Sequence, residues 1–453
     1  MPQKETRRMN TPIIDFVEQY KKNNITRLHM PGHKGKHFLG FESSDITEVK
    51  GADALYEADG IIAQSEANAT KLFETGKTLY STEGSSQCIR AMLYLAVTAA
   101  KKKERAFILA ARNVHKSFVQ AVALLDLDVE WIYPEGDMHS LCSCEVNPGH
   151  LHKMLNEMDE KPIAVYLTSP DYLGGQSDVR KLADVCHQNG TILAVDNAHG
   201  AYLKFLKESK HPIDLGADIC CDSAHKTLPV LTGGAYLHIH KEAPKEFMLY
   251  AKQAMALFGS TSPSYLTLMS LDKCNQYLAD GYQESLMQII KKLNLVRKRV
   301  MTHGWKLEET DPLKITVAVP DGMSGHEVAE RLRSHKIECE YADPDYVVCM
   351  VTPENTVVDF EQLVDVLGVN EAEYTKKEAI GTFRCDRKMS VRDAVFARHI
   401  EIDVSDAKGR ICAAPTVSCP PAIPIVVSGE EITEEAIRVF QYYGINKVDV
   451  VEE

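Results

Sequence analysis

The sequence predicts an α/β protein with a mostly parallel sheet, because short apolar runs bounded by glycine or polar residues alternate with helical patterns. Three such runs, at 191–195, 216–221 and 233–239, are typical of buried strands. Asp196 directly follows the first run, and the polar residues 222–226 follow the second. Open α/β sheets bind ligands just past the carboxyl ends of their strands. We therefore expect the functional site at this edge of the sheet.

The first half of the chain alternates between predicted helices and strands. Thr11 and Pro12 predict the start of an amphipathic helix that packs on the main body or on a second subunit. A second helical pattern begins at about residue 61, and a loop is predicted at 136–150. Strands are predicted at 77–82, 106–110, 129–134 and 162–170, and helices at 87–100, 118–125 and 177–190. Strands joined through helices at this spacing indicate right-handed crossovers.

The second half of the chain begins with helices and then changes its pattern at about residue 303. Strands at 314–320 and 346–353 alternate there with helices at 324–336 and 358–367, which predicts a small β-α-β-α domain. The predicted organisation is an N-terminal arm at 1–50, a large domain at 51–302, a small domain at 303–370 and a C-terminal module at 371–453.

The composition excludes several classes of protein. The chain has 453 residues, 44% of them hydrophobic and 25% charged, as in ordinary globular enzymes. Its formal net charge of −13 argues against nucleic acid or an anionic membrane as the main partner. The N-terminus lacks the apolar core of a signal peptide, and no apolar run reaches transmembrane length. The 12 cysteines show neither a disulfide framework nor zinc spacing, so we expect free thiols, no metal and a cytoplasmic location.

The residues at the expected site fit a lysine that forms a Schiff base. A desolvated lysine can attack a carbonyl, whereas a solvated, protonated lysine is a poor nucleophile. Pyridoxal phosphate is such a carbonyl, and it also needs a carboxylate at its ring nitrogen and hydroxyl and N–H groups at its phosphate. Lys226, Asp196 and Ser223 can fill these roles. Either charged residue alone would more often be a solvated surface group.

These motifs resemble those of the aspartate-aminotransferase-fold pyridoxal-phosphate enzymes, and more closely the bacterial Orn/Lys/Arg decarboxylase family in its short form. The family's Ser-x-His-Lys motif corresponds to 223–226, and its Asp-x-Ala-His-Gly motif to 196–200. Asn197 stands where the family usually has an acidic residue. The resemblance implies a three-layer αβα large domain, a small α/β domain and a C-terminal α+β module.

A Gly-Ser-Ser turn at the start of a predicted helix offers an anion site. Gly84, Ser85 and Ser86 bring N–H groups, the positive end of the helix dipole and two hydroxyls together. A plain serine N-cap is the ordinary interpretation of such a turn. The presence of Lys226 favours the phosphate role instead. By resemblance, Thr261 reaches the cofactor phosphate of a neighbouring subunit, which implies a homodimer or a higher homo-oligomer with shared active sites.

The resemblance also assigns roles around the cofactor ring. His115 is expected to stack on one face of the ring, with Ala198 on the other. Asp196 keeps the ring nitrogen protonated through a charge-assisted hydrogen bond. His199 is expected near the ring hydroxyl, and His225 or Lys226 delivers the proton that replaces the lost carboxylate.

Three further residues are expected on the substrate side. His33 and Lys34 belong to a PGHK segment that lies near the active site in the family. Nearby histidines could suggest a metal, but no acidic or thiol ligand accompanies them, so a polar loop is favoured. Glu430 follows a proline-rich run, which fixes either a pocket loop or an ordinary structural edge.

The resemblance implies decarboxylation of lysine, arginine or ornithine to the amine and CO₂, a carboxy-lyase reaction of polyamine biosynthesis. Other reactions on the same scaffold stay open: an aminotransferase, an aldolase, a C–S lyase or an acyl-CoA condensing enzyme. A non-catalytic relative is a third alternative, which the intact Lys226 and Asp196 argue against. The sequence does not choose among the three substrates.

Overall fold

The structure is a computed structural model that describes residues 9–100, 106–136, 140–374, 380, 383–414 and 421–452. The chain divides into two compact units, each made of two stretches. The first unit comprises 1–99 and 194–285, and the second unit comprises 100–193 and 286–453. The domain boundaries expected from the sequence stay a prediction.

The secondary structure of the described residues follows the predicted alternation in its first half. The helices are α1 (Pro12–Lys22), α2 (Ile61–Phe73), α3 (Gly84–Ala99), α4 (Lys116–Leu125), α5 (Pro148–Glu157), α6 (Val179–Gln188), α7 (Ala224–Thr227), α8 (Lys245–Leu257), α9 (Tyr265–Ala279), α10 (Tyr282–Thr302), α11 (Gly325–Ser334), α12 (Val357–Leu367), α13 (Val391–Phe396) and α14 (Glu434–Tyr442). The strands are β1 (Lys77–Ser81), β2 (Phe107–Ala111), β3 (Asp128–Ile132), β4 (Ala164–Thr168), β5 (Ile192–Asp196), β6 (Ile219–Asp222), β7 (Ala235–Ile239), β8 (Lys306–Leu307), β9 (Lys314–Ala318), β10 (Tyr341–Ala342), β11 (Tyr346–Met350), β12 (His399–Asp403) and β13 (Lys447–Val451).

The predicted α/β class with a mostly parallel sheet is confirmed. The strand order is β1-β7-β6-β5 in the first unit and β4-β2-β3 in the second. Strand β5 pairs with β6 in parallel, and β2 pairs in parallel with β3 and β4. Strand β7 is antiparallel to both β6 and β1. Because Asp196 pairs in register with Cys221, the carboxyl ends of β5 and β6 lie side by side.

The amphipathic helix α1 docks on the first unit, one of the two surfaces expected for it. It packs on α2 and α9 and buries Ile13 and Val17 completely. Asp272 of α9 accepts hydrogen bonds from the backbone N–H groups of Ile13 and Ile14, at 3.0 and 3.1 Å. These N–H groups belong to the first turn of α1, which has no intrahelical acceptors for them. A distant carboxylate therefore caps the helix.

The second unit contains two smaller sheets. One has the order β10-β11-β9-β8, and its pairs are antiparallel. The predicted strands and helices of the small domain are present, but two-residue strands at both edges change the expected β-α-β-α pattern. The other sheet pairs β12 with β13 and packs with α14 around Val404, Phe440 and Val450.

Two further features qualify the sequence predictions. Helix α5 begins at Pro148, inside the segment predicted to be a loop, with Asn147 as its N-cap. Part of the proline-rich run, 415–420, lies outside the described residues.

Among the helices that the structure describes, none combines the length and the apolar character needed to cross a membrane.

Candidate active site

Asp196 is the last residue of β5, and its carboxylate is held in a buried position. The residue is 2% exposed. Its Oδ1 accepts a hydrogen bond from the backbone N–H of Ala198 at 3.1 Å and lies 3.5 Å from Sγ of Cys221. The strand end therefore presents a carboxylate that its own turn fixes in place.

Lys226 lies at the same edge, on the short helix α7 that follows β6. Its Nζ is 2.9 Å from Nε2 of His199, and its backbone N–H donates to the carbonyl of Ser223 at 3.0 Å. His199 is buried, three residues after Asp196 along the chain. The hydrogen bond thus joins the two motifs that the sequence singled out.

Hydroxyl groups meet where α3 begins. Oγ of Ser223 donates to Oγ of Ser85 at 2.9 Å, and the N–H of Gly84 donates to the carbonyl of Gly233 at 2.7 Å. Gly84 has a φ of +71°, a left-handed conformation that favours glycine, and a Cβ built there would have no described atom within 4 Å. Ser86 follows in the first turn and is half-buried. The helix start, its N–H groups and these hydroxyls form an anion-binding arrangement.

The donor set of the first unit fits pyridoxal phosphate. That cofactor needs an amine for its aldehyde, a carboxylate for its ring nitrogen, and hydroxyl and N–H groups for its phosphate. Lys226, Asp196 and the Ser85–Ser223 pair supply these groups within one unit. The residues present therefore match the chemistry of the cofactor.

The other candidates of the first unit lie at several places. The Nδ1–H of His225 donates to the carbonyl of Gly234 at 3.0 Å. Thr261 is exposed in the bend that precedes α9. His33 places Nε2 3.1 Å from Asp45, and Lys34, with a φ of +55°, donates to the carbonyl of His29. The substrate and phosphate roles expected for His33, Lys34 and Thr261 stay predictions.

Two candidates belong to the second unit. His115 is the N-cap of α4, and its Nδ1 accepts a hydrogen bond from the backbone N–H of Ser117 at 3.1 Å. Glu430 is 4% exposed, accepts from the N–H of Val427 at 2.7 Å and lies 3.4 Å from the guanidinium of Arg112. Burial raises the pKa of Glu430, and Arg112 offsets this only in part. The stacking role of His115 and the substrate role of Glu430 stay predictions.

Sequence reasoning missed a buried polar cluster beside the site. Asp222 is fully buried, and its Oδ2 accepts hydrogen bonds from Nε2 of His211 and of His238, both at 3.1 Å. Its Oδ1 accepts from Nδ2 of Asn197 at 2.7 Å. Burial by itself would raise the pKa of Asp222, but the two imidazoles outweigh it and hold the pKa below its ordinary value. His238, placed inside an apolar run, was the available signal in the sequence.

Comparison with known proteins identifies the family of the chain. The family model described as the Orn/Lys/Arg decarboxylase major domain matches residues 11–319, and the model of the C-terminal domain matches residues 379–448. Arginine decarboxylase of Bacillus subtilis is 28% identical over 460 residues, covering 94% of this chain and 92% of that protein. Arginine decarboxylase of Halalkalibacterium halodurans is also 28% identical, covering 95% and 92% of the two chains.

A solved structure supports the same fold. Lysine decarboxylase of Francisella novicida superposes with a TM-score of 0.79 at 16% identity, covering 98% of this chain and 81% of that chain. At this identity the likeness concerns the fold alone. The ranges matched by the two family models, 11–319 and 379–448, however, together span most of the chain. The chain therefore belongs to the Orn/Lys/Arg decarboxylase family, and it is a pyridoxal-phosphate-dependent decarboxylase of a basic amino acid.

Proposed function

We propose that this enzyme decarboxylates arginine and that Lys226 and Asp196 are its two central residues. The observation that carries the residue roles is the 2.9 Å contact between Lys226 and His199, three residues past the buried Asp196. The preference for arginine rests on the two full-length relatives from Bacillus subtilis and Halalkalibacterium halodurans, both named arginine decarboxylase.

Asp196 fixes one end of the cofactor. When bound, pyridoxal phosphate supplies an electron sink for the bond that breaks at Cα of the amino acid. The Asp196 carboxylate pairs with a cationic ring nitrogen, and its burial strengthens that pairing because little water competes for it. The N–H of Ala198 holds one carboxylate oxygen and so orients the group.

Lys226 would hold the cofactor through its aldehyde, and its amine would also be placed to donate a proton. His199 Nε2 is within hydrogen-bond distance of the amine, so it can hold or accept a proton there. His225 is oriented differently, since its Nδ1–H is committed to the carbonyl of Gly234. We therefore assign the proton that replaces the carboxylate to Lys226, with His199 as its partner.

The phosphate is assigned to the start of α3 and to the hydroxyls there. Ser85 and Ser223 already form a hydrogen bond, and both oxygens can turn to donate to an anion. Thr261 of a second copy is proposed to complete this site, which makes the enzyme a homodimer. A cytoplasmic location stays a prediction.

Separate incubations of the holoenzyme with arginine, lysine and ornithine test the function. We expect CO₂ and agmatine from arginine, and markedly slower release of CO₂ from the other two. Faster turnover of lysine or ornithine would contradict the substrate assignment. Turnover of none of the three would contradict the function itself.

A matched pair of lysine variants tests the residue assignment. Lys226→Ala should release no CO₂ above the rate without enzyme, whereas Lys207→Ala, which changes an exposed lysine, should keep full activity. Reduction of the holoenzyme with borohydride should attach the cofactor to the peptide containing residue 226. Attachment at another lysine would overturn the assignment.

A further inference from the structure

We infer that Asp222 is a positioning residue. Through its hydrogen bond to Asn197, it fixes the turn that follows Asp196 relative to the segment that carries Lys226. The inference rests on the proposed roles of those two residues. It concerns the cluster of Asp222, Asn197, His211 and His238 described above, which we call the Asp222 cluster.

The hydrogen bonds of the Asp222 cluster all point in one direction. A carboxylate only accepts, so Nε2 of His211 and of His238 each carry a hydrogen. Burial lowers the pKa of His238, which keeps that imidazole neutral and leaves its Nδ1 as an acceptor. Nδ1 lies 2.9 Å from Oγ1 of Thr78, which in turn lies 2.8 Å from Oγ1 of Thr75. The Thr78 hydroxyl therefore donates to His238, and the Thr75 hydroxyl donates to Thr78.

Asn197 connects this cluster to the site. Its side chain donates to Asp222 at 2.7 Å, and its backbone N–H donates to the carbonyl of Cys221 at 2.9 Å. The two bonds join the end of β5 to the end of β6. Asp196 immediately precedes Asn197, and Ser223 immediately follows Asp222, so both partners of the bond adjoin predicted cofactor ligands.

The turn that follows Asn197 fits closely around its side chain. A Cβ built on Gly200 would lie only 1.9 Å from Oδ1 of Asn197. The backbone N–H of Gly200 also donates to the carbonyl of Asn197 at 2.8 Å. This same turn carries Ala198, which holds Asp196, and His199, which contacts Lys226. A rotation of Asn197 away from Asp222 would therefore displace both contacts.

Exchanging the two side chains offers a direct test. In Asp222→Asn, the amide oxygen can accept from the two imidazoles, but the new NH₂ group then faces the NH₂ group of Asn197. The hydrogen bond to Asn197 is therefore lost. In Asn197→Asp, two carboxylates face each other across the 2.7 Å contact. In the double variant Asn197→Asp/Asp222→Asn, the new amide oxygen accepts from both imidazoles and the new NH₂ group donates to the new carboxylate, which restores the pattern.

The readouts are the dissociation constant of pyridoxal phosphate, the visible absorption of the bound cofactor, and kcat and KM for arginine. We expect each single variant to weaken cofactor binding about tenfold or more and to lower kcat, and the double variant to recover to within about threefold of the parent. Asn197→Ala removes only the connecting bond. It leaves Oδ1 of the buried Asp222 without this donor, so some thermal stability is lost. Cofactor binding should nevertheless weaken and the absorption band should shift at temperatures where the variant is fully folded.

Several outcomes would overturn the inference. Single variants that bind the cofactor and turn over normally would do so, as would a double variant no better than the worse single. Cofactor loss in Asn197→Ala that only follows its loss of stability would show a merely structural role. One bound metal ion per purified chain would also contradict it, because His211, Cys220 and Asp222 place ligand atoms within 4.8 Å and would then be ligands.

These results stay separate from the test of the proposed function. Activity of Lys226→Ala would refute the function whatever the Asp222 variants do. If Lys226→Ala released no CO₂ while the Asp222 variants were fully active, only the positioning role would be refuted.

Discussion

Two buried carboxylates, one in each unit, differ in the direction of their pKa shift. Asp222 is 0% exposed and Glu430 is 4% exposed, so burial hardly distinguishes them. The pKa of Asp222 is lowered, whereas the pKa of Glu430 is raised. Asp222 accepts from two imidazoles and an amide, whereas Glu430 has one backbone N–H and an arginine at 3.4 Å. The difference shows that the surrounding donors, and not burial alone, set the direction in which the pKa of a buried acid shifts.

The number of hydrogen bonds alone does not explain this difference. Asp272 is also fully buried and accepts from Ile13, Ile14 and the hydroxyl of Ser65. Burial nevertheless raises the pKa of Asp272 to about 6. Its donors are two backbone N–H groups and one hydroxyl, and none of them is an imidazole. The imidazoles around Asp222 are therefore the partners that keep it charged.

The largest effect is expected from removing Asp222 altogether. Asp222→Ala leaves the donors of Asn197, His211 and His238 unpaired in the core, which should lower the free energy of unfolding by about 3–5 kcal/mol. Urea unfolding followed by circular dichroism measures this change. The exposed Glu208→Ala is the control and should change the unfolding free energy by less than about 0.5 kcal/mol. If Asp222→Ala lowered the free energy of unfolding by less than about 1 kcal/mol, the partners of Asp222 would not stabilise the fold as the comparison with Glu430 requires.

The next largest effect is a pH dependence at Asp272. Its pKa is raised in the folded state from 3.8 to about 6, so between these values the folded chain binds more protons than the unfolded chain. Its contribution to stability is therefore complete below pH 3.8 and is lost as the pH rises through about 6. The loss should approach about 2–3 kcal/mol.

Unfolding free energies between pH 4 and pH 7 check this contribution. Asp272→Asn keeps an acceptor for the first turn of α1 but cannot ionise, so the variant should show a flatter profile than the parent. Asp222 has the opposite sign, since its lowered pKa adds stability that is present above its ordinary value of 3.8 and is lost as the pH falls below it. Identical profiles for parent and Asp272→Asn would contradict the assignment.

A smaller effect is expected for Glu430→Gln. The amide keeps an acceptor for the N–H of Val427 and removes a charge whose burial is unfavourable, although Arg112 loses its partner. These changes oppose each other, so the free energy of unfolding should change by about 1 kcal/mol or less. Asp222→Asn should cost about 2–3 kcal/mol in the same urea assay. Equal costs in the two units would show that the partners do not matter as proposed.

The smallest effect is expected at Thr78, which contacts the Asp222 cluster through His238. Thr78→Val keeps the shape but removes the hydroxyl that donates to His238, at a cost of about 1 kcal/mol. Thermal unfolding measures it, with the exposed Thr302→Val as the control. If Thr78→Val lowered the free energy of unfolding as much as Asp222→Ala does, the hydrogen bonds of His238, and not those of Asp222, would dominate the stability of the cluster.

The sequence predicted those features that depend on neighbouring residues. The strands β5 to β7, the helix start at Gly84 and the edge that carries Asp196 and Lys226 follow from local apolar runs and their polar ends. Strands β8 and β10 have two residues each, too few for any periodicity. The antiparallel edge of the large sheet depends on pairing between β1 and β7, which are far apart in sequence. The Asp222 cluster likewise joins residues from four separate segments.

The pairing of β1 with β7 has a consequence for synthesis of the protein. β1 leaves the ribosome early, but its partner β7 emerges only after residues 100–193, which belong to the second unit, have been translated. Ser85 likewise cannot form its hydrogen bond with Ser223 until that residue, 138 positions later in the chain, has been translated. The nascent chain therefore carries an incomplete first unit through the translation of a large part of the second. The donor set for the cofactor therefore cannot be complete before Lys226 has emerged.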